Sequence, residues 1–421
     1  MAVRSTSLVV ALAAAVVTFL LLTGGRSDEQ AAQVPTLPLE GVEQRITPEG
    51  LGEHLDALQR IANENGGNRA TGTPGERATA DYIAGRLRAA GYRVQVQEVR
   101  QPVFRERSSP RLTVPGGRQY EVATLRFSGS GSAAGTVRKT GTGCARASFN
   151  ALERGEIALV RRGGCTFRAK VLGAQRAGAA AVIVSDPDPV RGSLERSVRI
   201  PVIAVGDRGA GLTGKRVRVR VQAQTTTVRA PNVIAESGAT GAPRVVMAGG
   251  HLDSVPAGPG LNDNGSGVAA VLETAEELGG RPLPEGAALR FGFWGAEEIG
   301  LVGSTYYVNE LSRTERRRIA AYVNLDMVGS PGATPSVYTG NERIATALRR
   351  TLGADAPNTT LGGASDHAPF DEAGIPTGGI FTGLDKCYHQ RCDTVENVDR
   401  NLATTSSRAA GAALVELLRT P

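Results

Sequence analysis

Histidine is scarce in this chain, with four among 421 residues, and cysteine is as rare, also with four. Neither close cysteine pair, Cys144 with Cys165 or Cys387 with Cys392, has the Cys-x-x-Cys spacing and histidine partners of a thiolate zinc cluster. Two local disulfides, Cys144–Cys165 and Cys387–Cys392, are therefore the simplest of the three pairings, and they suit an exported protein. No cysteine follows the apolar N-terminal run, which argues against a lipid-anchored start. A concentrated basic surface is missing too. The 48 basic and 41 acidic residues give +7, but the basic ones are scattered, and the densest run, Arg316 to Arg318, reads as the solvated face of a short helix. No nucleic-acid partner is expected. An apolar content of 41% excludes a disordered or fibrous chain and is ample for packed cores.

What is present begins with a leader. Met1 to Ser7 carries the charge, Leu8 to about Thr23 is uncharged and mostly apolar, and Gly24 and Gly25 form a small-residue exit. This is the pattern of a signal peptide over 1–25, followed by a linker over 26–45. The run also approaches spanning length, so an uncleaved anchor facing outside is the alternative to secretion. Two amphipathic helices follow, over 46–65 and 73–90, the second with Thr73 as cap and Pro74 in its first turn. Residues 92–99 alternate as a strand. From about 105 to 228 the character changes to short Val/Thr/Arg strands between Gly-rich turns. Within that stretch, GEIALVRRGGCTFRAKVLGAQRAGAAAVIVSD (155–186) reads as a βαβ unit, with Phe167, Val171 and Ala174 on one helix face. It resembles the core of the protease-associated (PA) domain. From 230 onward strands at 244–250, 287–294, 319–325 and 375–381 alternate with helices at 264–278, 342–352 and 401–418, as in a sheet flanked by helices.

The ends of those strands carry the unexpected residues. In chain order they are His251 and Asp253, Asp263, the doublet Glu297-Glu298, Asp326 and His389. Each has an ordinary reading by itself: a satisfied histidine, a helix cap, a turn. At successive strand exits, where an open α/β sheet builds its crevice, they form a set of carboxylates that would repel one another without a cation. Imidazole with carboxylate is a ligand set for zinc, and one zinc leaves ligands over, which points to two ions.

The segments GGHLDSVPAGPGLNDNGSGVAAVLE, FGFWGAEEIGLVGSTYYV, AYVNLDMVG, SDHAPF and CYHQRCDT resemble the M28 family of co-catalytic zinc aminopeptidases, above all its secreted bacterial members. The resemblance covers 46–105 and 229–421, and implies a discontinuous catalytic domain with a mixed central β-sheet, interrupted by the PA domain at 106–228. It further implies that His251 and Asp326 bind one zinc, Glu298 and His389 the other, and that Asp263 bridges them and is followed by a cis peptide. Asp253 would hydrogen-bond a ligand imidazole. Glu297 would be the general base on the water that the ions activate, and Tyr388 would donate to the oxyanion, on a loop braced by Cys387–Cys392. Asp366 and His367 would support the pocket. Two features depart from close relatives: Ala364 stands where an arginine is common, and the stretch from Phe381 to Cys387 is short, which alters the pocket rim.

The implied substrate is the N-terminus of a peptide, with an apolar first residue, and the implied state a monomer. A structural calcium ion is compatible with such an enzyme, with no ligands assigned. The alternatives are a carboxypeptidase-type relative, which needs a basic group for the substrate's carboxylate, a one-zinc glutaminyl cyclase-like enzyme, and a non-enzymatic receptor-like protein. The last two fit poorly with a complete ligand set.

Overall fold

The computed structural model describes residues 38–419 apart from 115, 117–119 and 186–191; the leader expected over 1–25 and the linker as far as residue 37 lie outside the described residues. Its strands are β1 (Arg93–Thr113), β2 (Val122–Thr124), β3 (Gly131–Lys139), β4 (Ile157–Arg161), β5 (Ala181–Ser185), β6 (Val202–Val205), β7 (Arg216–Gly238), β8 (Arg244–His251), β9 (Ala287–Trp294), β10 (Ile319–Leu325), β11 (Ser336–Tyr338), β12 (Asn358–Thr359) and β13 (Thr377–Phe381). The helices are α1 (Val42–Arg45), α2 (Pro48–Glu64), α3 (Pro74–Ala89), α4 (Phe167–Arg176), α5 (Gly267–Leu278), α6 (Val302–Glu310), α7 (Arg313–Arg318), α8 (Glu342–Leu352), α9 (His367–Glu372) and α10 (Arg400–Arg419).

Hydrogen bonding connects the strands in the order β12-β11-β13-β10-β8-β9-β7-β3-β4-β5-β6-β2, with β1 paired along β7. β13, β10, β8 and β9 run parallel, while β7 and β11 flank them antiparallel, so the sheet is mixed. All eight residues of β9 are buried, because helices cover both faces, and the strand reads as one apolar run. Val246, Ala248, Leu289, Phe291 and Phe293 face a core shared with α2, α3, α5, α8 and α10. Val245, Met247, Ala288 and Trp294 face the other way, toward Tyr307 on α6 and Phe370 on α9. Thr47 and Thr73 cap α2 and α3 through Gly50 and Glu76 backbone N–H groups, each with proline at the next position.

The βαβ unit is present: β4 and β5 are parallel, and Val171 and Ala174 of α4 are buried in a separate core with Val160, Val182 and Val184. Two expectations change. The residues at 105 and 228 do not separate short strands. They fall inside β1 and β7, 21 and 23 residues long, which pair from Arg93↔Glu236 to Thr113↔Arg218 with irregularities near Ser108. Pro102 and Pro110 look like strand breakers, but among the described strands β1 pairs with β7 alone, and an edge strand tolerates proline. Secondly, α5 starts at Gly267 rather than Asn264. Asp263 and Asn264 depart from helical geometry, and the peptide between them is cis.

Candidate metal centre

Because β8, β9, β10 and β13 are parallel, their C-terminal ends open on one edge. His251 ends β8, Glu297 and Glu298 follow β9, Asp326 follows β10, and the loop after β13 brings Tyr388 and His389. Asp263 joins them from the turn before α5. The backbone is forced at three of these exits: Ala296, Met327 and His389 have φ of 59°, 50° and 58°. The left-handed region costs a residue with a Cβ about 1–2 kcal/mol, so packing must hold these turns. Gly295 allows one of them, since a Cβ there would lie 2.5 Å from the Pro231 carbonyl oxygen.

His251 is buried, with Nε2 3.3 Å from Asp263 Oδ1, 3.5 Å from Asp326 Oδ1 and 3.9 Å from Glu297 Oε2. His389 Nε2 lies 3.1 Å from Asp263 Oδ2 and 3.1 Å from Glu298 Oε2. Asp263 thus turns one oxygen to each imidazole. Glu298 Oε1 and Asp326 Oδ1 are buried without a hydrogen-bond partner among the described residues. Ligands about 2.0–2.2 Å from a tetrahedral zinc stand roughly 3.4 Å apart, close to the separations here, so the residues fit metal binding. The charges agree. Burial, then the neighbouring Asp263 carboxylate, pushes the Glu298 carboxyl up to about 9. Burial, and after it Asp366, Asp326 and Asp253, raises Glu297 well above the usual carboxylate range. Burial opposes a charged His251, yet Glu297 and Asp326 hold its pKa well above the ordinary value. This crevice demands positive charge.

The structure adds to the part expected of Asp253. Its carboxylate lies 3.7 Å from His251 Nδ1, which also faces the Asp253 backbone carbonyl at 3.2 Å. The carboxylate accepts from the Glu297 backbone N–H (3.0 Å) and from Thr71 Oγ1 (2.7 Å), and so fixes the start of the Glu297-Glu298 turn. Asp326 is held by a chain of hydrogen bonds from the core. Trp294 Nε1 donates to Tyr322 Oη (2.8 Å), that hydroxyl to Asn324 Oδ1 (2.9 Å), Asn324 Nδ2 to Ser365 Oγ (2.8 Å), and Ser365 to Asp326 Oδ2 (2.6 Å). Asp393 accepts the backbone N–H groups of Asn262 (2.7 Å) and Asp263 (3.0 Å). The buried Arg69 guanidinium donates to the carbonyls of Leu252, Pro259 and Gly260. Thr71, Ser365, Asp393 and Arg69 were not singled out from sequence. Ser365 and Asp393 stand inside the quoted segments SDHAPF and CYHQRCDT, which was signal enough, whereas Arg69 and Thr71 lie in a loop with no periodic pattern.

Asp393→Ala should leave two buried N–H groups unpaired at about 1–3 kcal/mol each. The expected result is a loss of about 2–6 kcal/mol in urea unfolding together with weaker metal retention, and an unchanged urea midpoint would remove this role.

Beside the ligands lies a cavity of about 290 Å³, lined by Met327, Leu361, Ala364, Phe381, Leu384 and Tyr388. Tyr388 stacks on His389 with ring centroids 3.8 Å apart, and burial, then the site's carboxylates, pushes its hydroxyl up to about 12. Asp366 is fully buried, and burial pushes its carboxyl up to about 7. His367 Nε2 lies 2.9 Å from the Gly362 carbonyl oxygen and its ring packs on Tyr338. Cys387–Cys392 closes the loop that presents His389, and Cys144–Cys165 ties residues 142–144 to the start of the βαβ helix.

The model of peptidase family M28 matches residues 232–414, and that of the PA domain residues 131–213. The chain is 36% identical to a probable lipoprotein aminopeptidase of Mycobacterium tuberculosis, over 92% of this chain and 90% of that protein. It is 33% identical to an aminopeptidase of Pseudomonas aeruginosa, over 92% and 84%. Among solved structures it resembles an aminopeptidase from Aneurinibacillus sp. strain AM-1 (TM-score 0.65, 28% identity, 89% of this chain and 95% of that one). A zinc aminopeptidase from Bacillus subtilis is also similar (TM-score 0.56, 29% identity, 88% and 95%). The matched span 232–414 contains every ligand candidate of the crevice, and the likeness beyond it runs through nine-tenths of the chain: the protein belongs to peptidase family M28 and hydrolyses peptide bonds.

Proposed function

We propose that the chain is an exported zinc aminopeptidase that uses two metal ions and prefers an apolar N-terminal residue. The observation that carries this reading is Asp263, whose two carboxylate oxygens face two different imidazoles, His251 and His389. His251 and Asp326 would hold one ion, Glu298 and His389 the other, with Asp263 shared. Bound there, zinc supplies Lewis-acid polarisation of the scissile carbonyl and lowers the pKa of a water. Glu297, anchored through its backbone on Asp253, takes a proton from the attacking water and returns it to the leaving amine. A raised proton affinity is what that base requires. Tyr388, kept protonated, donates to the oxyanion.

Carboxylates beside an apolar cavity suit a protonated α-amino group next to an apolar side chain, which favours the N-terminal over the C-terminal end of a peptide. Relatives named from three bacteria are aminopeptidases. Two disulfides support an oxidising destination. We assign 46–105 and 229–421 to the catalytic domain and 106–228 to the insertion, the two being joined by the β1–β7 ribbon.

The test compares leucine anilide with its N-acetylated form and counts metal by mass spectrometry. Cleavage of the free amine alone, abolished by chelator and restored once two zinc ions per chain occupy the crevice, is expected. Equal cleavage of the acetylated substrate would sink the aminopeptidase reading, and one ion per fully active chain would sink the two-metal one.

A further inference from the structure

A second cluster lies away from the crevice, where α2, α3 and α5 pack together. His54 on α2 is fully buried. Its Nδ1 is 2.8 Å from Tyr82 Oη on α3. Its Nε2 has no hydrogen-bond partner among the described residues and points between two carboxylates of α5, 3.5 Å from Glu273 Oε2 and 3.9 Å from Glu276 Oε1. One ligand atom from each of the three lies within 4.8 Å of the others. Glu276 is nine residues past Gly267, the first residue of α5, or about 14 Å along the helix at 1.5 Å per residue, so this cluster is not part of the crevice.

The charges there do not balance without a cation. Arg86 donates to both Glu276 oxygens, Nε to Oε1 at 2.6 Å and Nη2 to Oε2, so Glu276 is already balanced and Oε1 would be shared between Arg86 and an ion. The Glu273 carboxylate is nearly buried and is pressed against backbone, since a Cβ on Gly50 would lie 2.4 Å from its Oε1; its other neighbour is the Thr47 N–H, at a long 3.5 Å. A cation beside it would offset that burial. The 3.5 Å from His54 Nε2 to Glu273 Oε2 is longer than the about 2.7–2.9 Å of a direct charged N–H to carboxylate contact and near the roughly 3.4 Å edge of a tetrahedral zinc site, with Glu276 Oε1 further out at 3.9 Å. The same kind of separation, 3.1 to 3.5 Å, recurs between His251 or His389 and the carboxylates of the crevice. Tyr82, whose hydroxyl burial pushes up to about 12, can accept a hydrogen bond from Nδ1–H and so leave the Nε2 lone pair aimed at the carboxylates, the role a carboxylate, carbonyl or water more often plays beside a ligand histidine. Glu276 keeps a fifth of its side chain exposed, which gives an ion a way in and a place for water as a fourth ligand.

We propose that His54, Glu273 and Glu276 form a separate structural site for a divalent transition metal, zinc or cobalt, that ties α2 to α5. Imidazole with two carboxylates selects such ions over magnesium or calcium.

The experiment uses the full chain with both crevice imidazoles removed, His251→Ala with His389→Ala, loaded with cobalt or zinc and dialysed. About one ion per folded chain should remain, and zinc but not magnesium should raise its melting temperature. Adding His54→Gln, or separately Glu273→Gln, should bring the count near zero and abolish the zinc response, with circular dichroism confirming the fold. No retained ion and no zinc-specific stabilisation in the crevice-deficient protein would overturn the proposal, as would an unchanged count in either added variant. Should both added variants misfold, the zinc response of the crevice-deficient protein decides alone.

Discussion

Glu297→Gln should keep the metal content of the parent protein and lose at least about 10²-fold in kcat, toward about 10⁴-fold, the range for a positioned general acid–base. The substitution is nearly isosteric. The contact that fixes this residue is made by its backbone N–H to Asp253, so the turn and the direction of Glu298 survive it. What is lost is a carboxylate whose burial, and after it the neighbouring carboxylates, raise its proton affinity, and an amide cannot replace it in proton transfer. KM should move little, since the residue acts on the proton rather than on the substrate's side chain. Steady-state kinetics on an aminoacyl anilide, beside metal analysis of the same sample, separates the outcomes. Undiminished kcat removes Glu297 from the chemistry, and loss of metal makes it a ligand.

How far the sequence anticipates this site depends on which force does the work. Two of only four histidines fall at exits of the sheet, and the exits are visible because buried parallel strands leave continuous apolar runs such as that of β9. Helical periodicity and caps were equally legible: Glu342–Leu352 is α8 as expected, and Thr73 caps α3. The β1–β7 ribbon was not, since its middle is exposed and polar and carries no burial pattern. The Asp263–Asn264 turn interrupts a sequence that is helical by composition, because Asn264 is drawn to Leu325, Gly267 and Met327 backbone groups far from helical geometry. Supports such as Arg69 act on carbonyls about 190 positions away in sequence, and side-chain type alone does not reveal such a partner. Asp253 was seen, but not its hydrogen bonds to Glu297 and Thr71, which loop geometry decides rather than spacing from His251.

Asp263→Asn should empty the crevice further than Glu298→Gln does. Burial alone would push the Asp263 carboxyl up, but hydrogen bonds from His251 and His389 hold it well below the usual carboxylate range, so it stays anionic where the site gathers its charge. Each of its oxygens serves one imidazole. Asparagine keeps the shape yet turns one oxygen into an NH₂ whose protons face a ring nitrogen, and removes the negative charge from both positions at once. Glu298 Oε2 lies 3.1 Å from His389 Nε2 and also groups with His251 and Asp263 within 4.8 Å, but in the proposed arrangement it serves only the ion at His389. Its replacement should therefore weaken one ion and leave the other with His251, Asp326 and Asp263. Changes to groups that merely orient ligands cost about 10–100-fold in affinity, so loss of the shared carboxylate should exceed 10²-fold. After dialysis, with His54→Gln in the parent so that only crevice ions are counted, Asp263→Asn is expected to hold fewer than one zinc per chain and Glu298→Gln about one, with activity down by more than about 10²-fold in both. Equal metal content in the two variants would contradict the shared position of Asp263. The contrast works because, in the proposed two-ion arrangement, the Asp263 carboxylate is common to both ions, while every other ligand belongs to one.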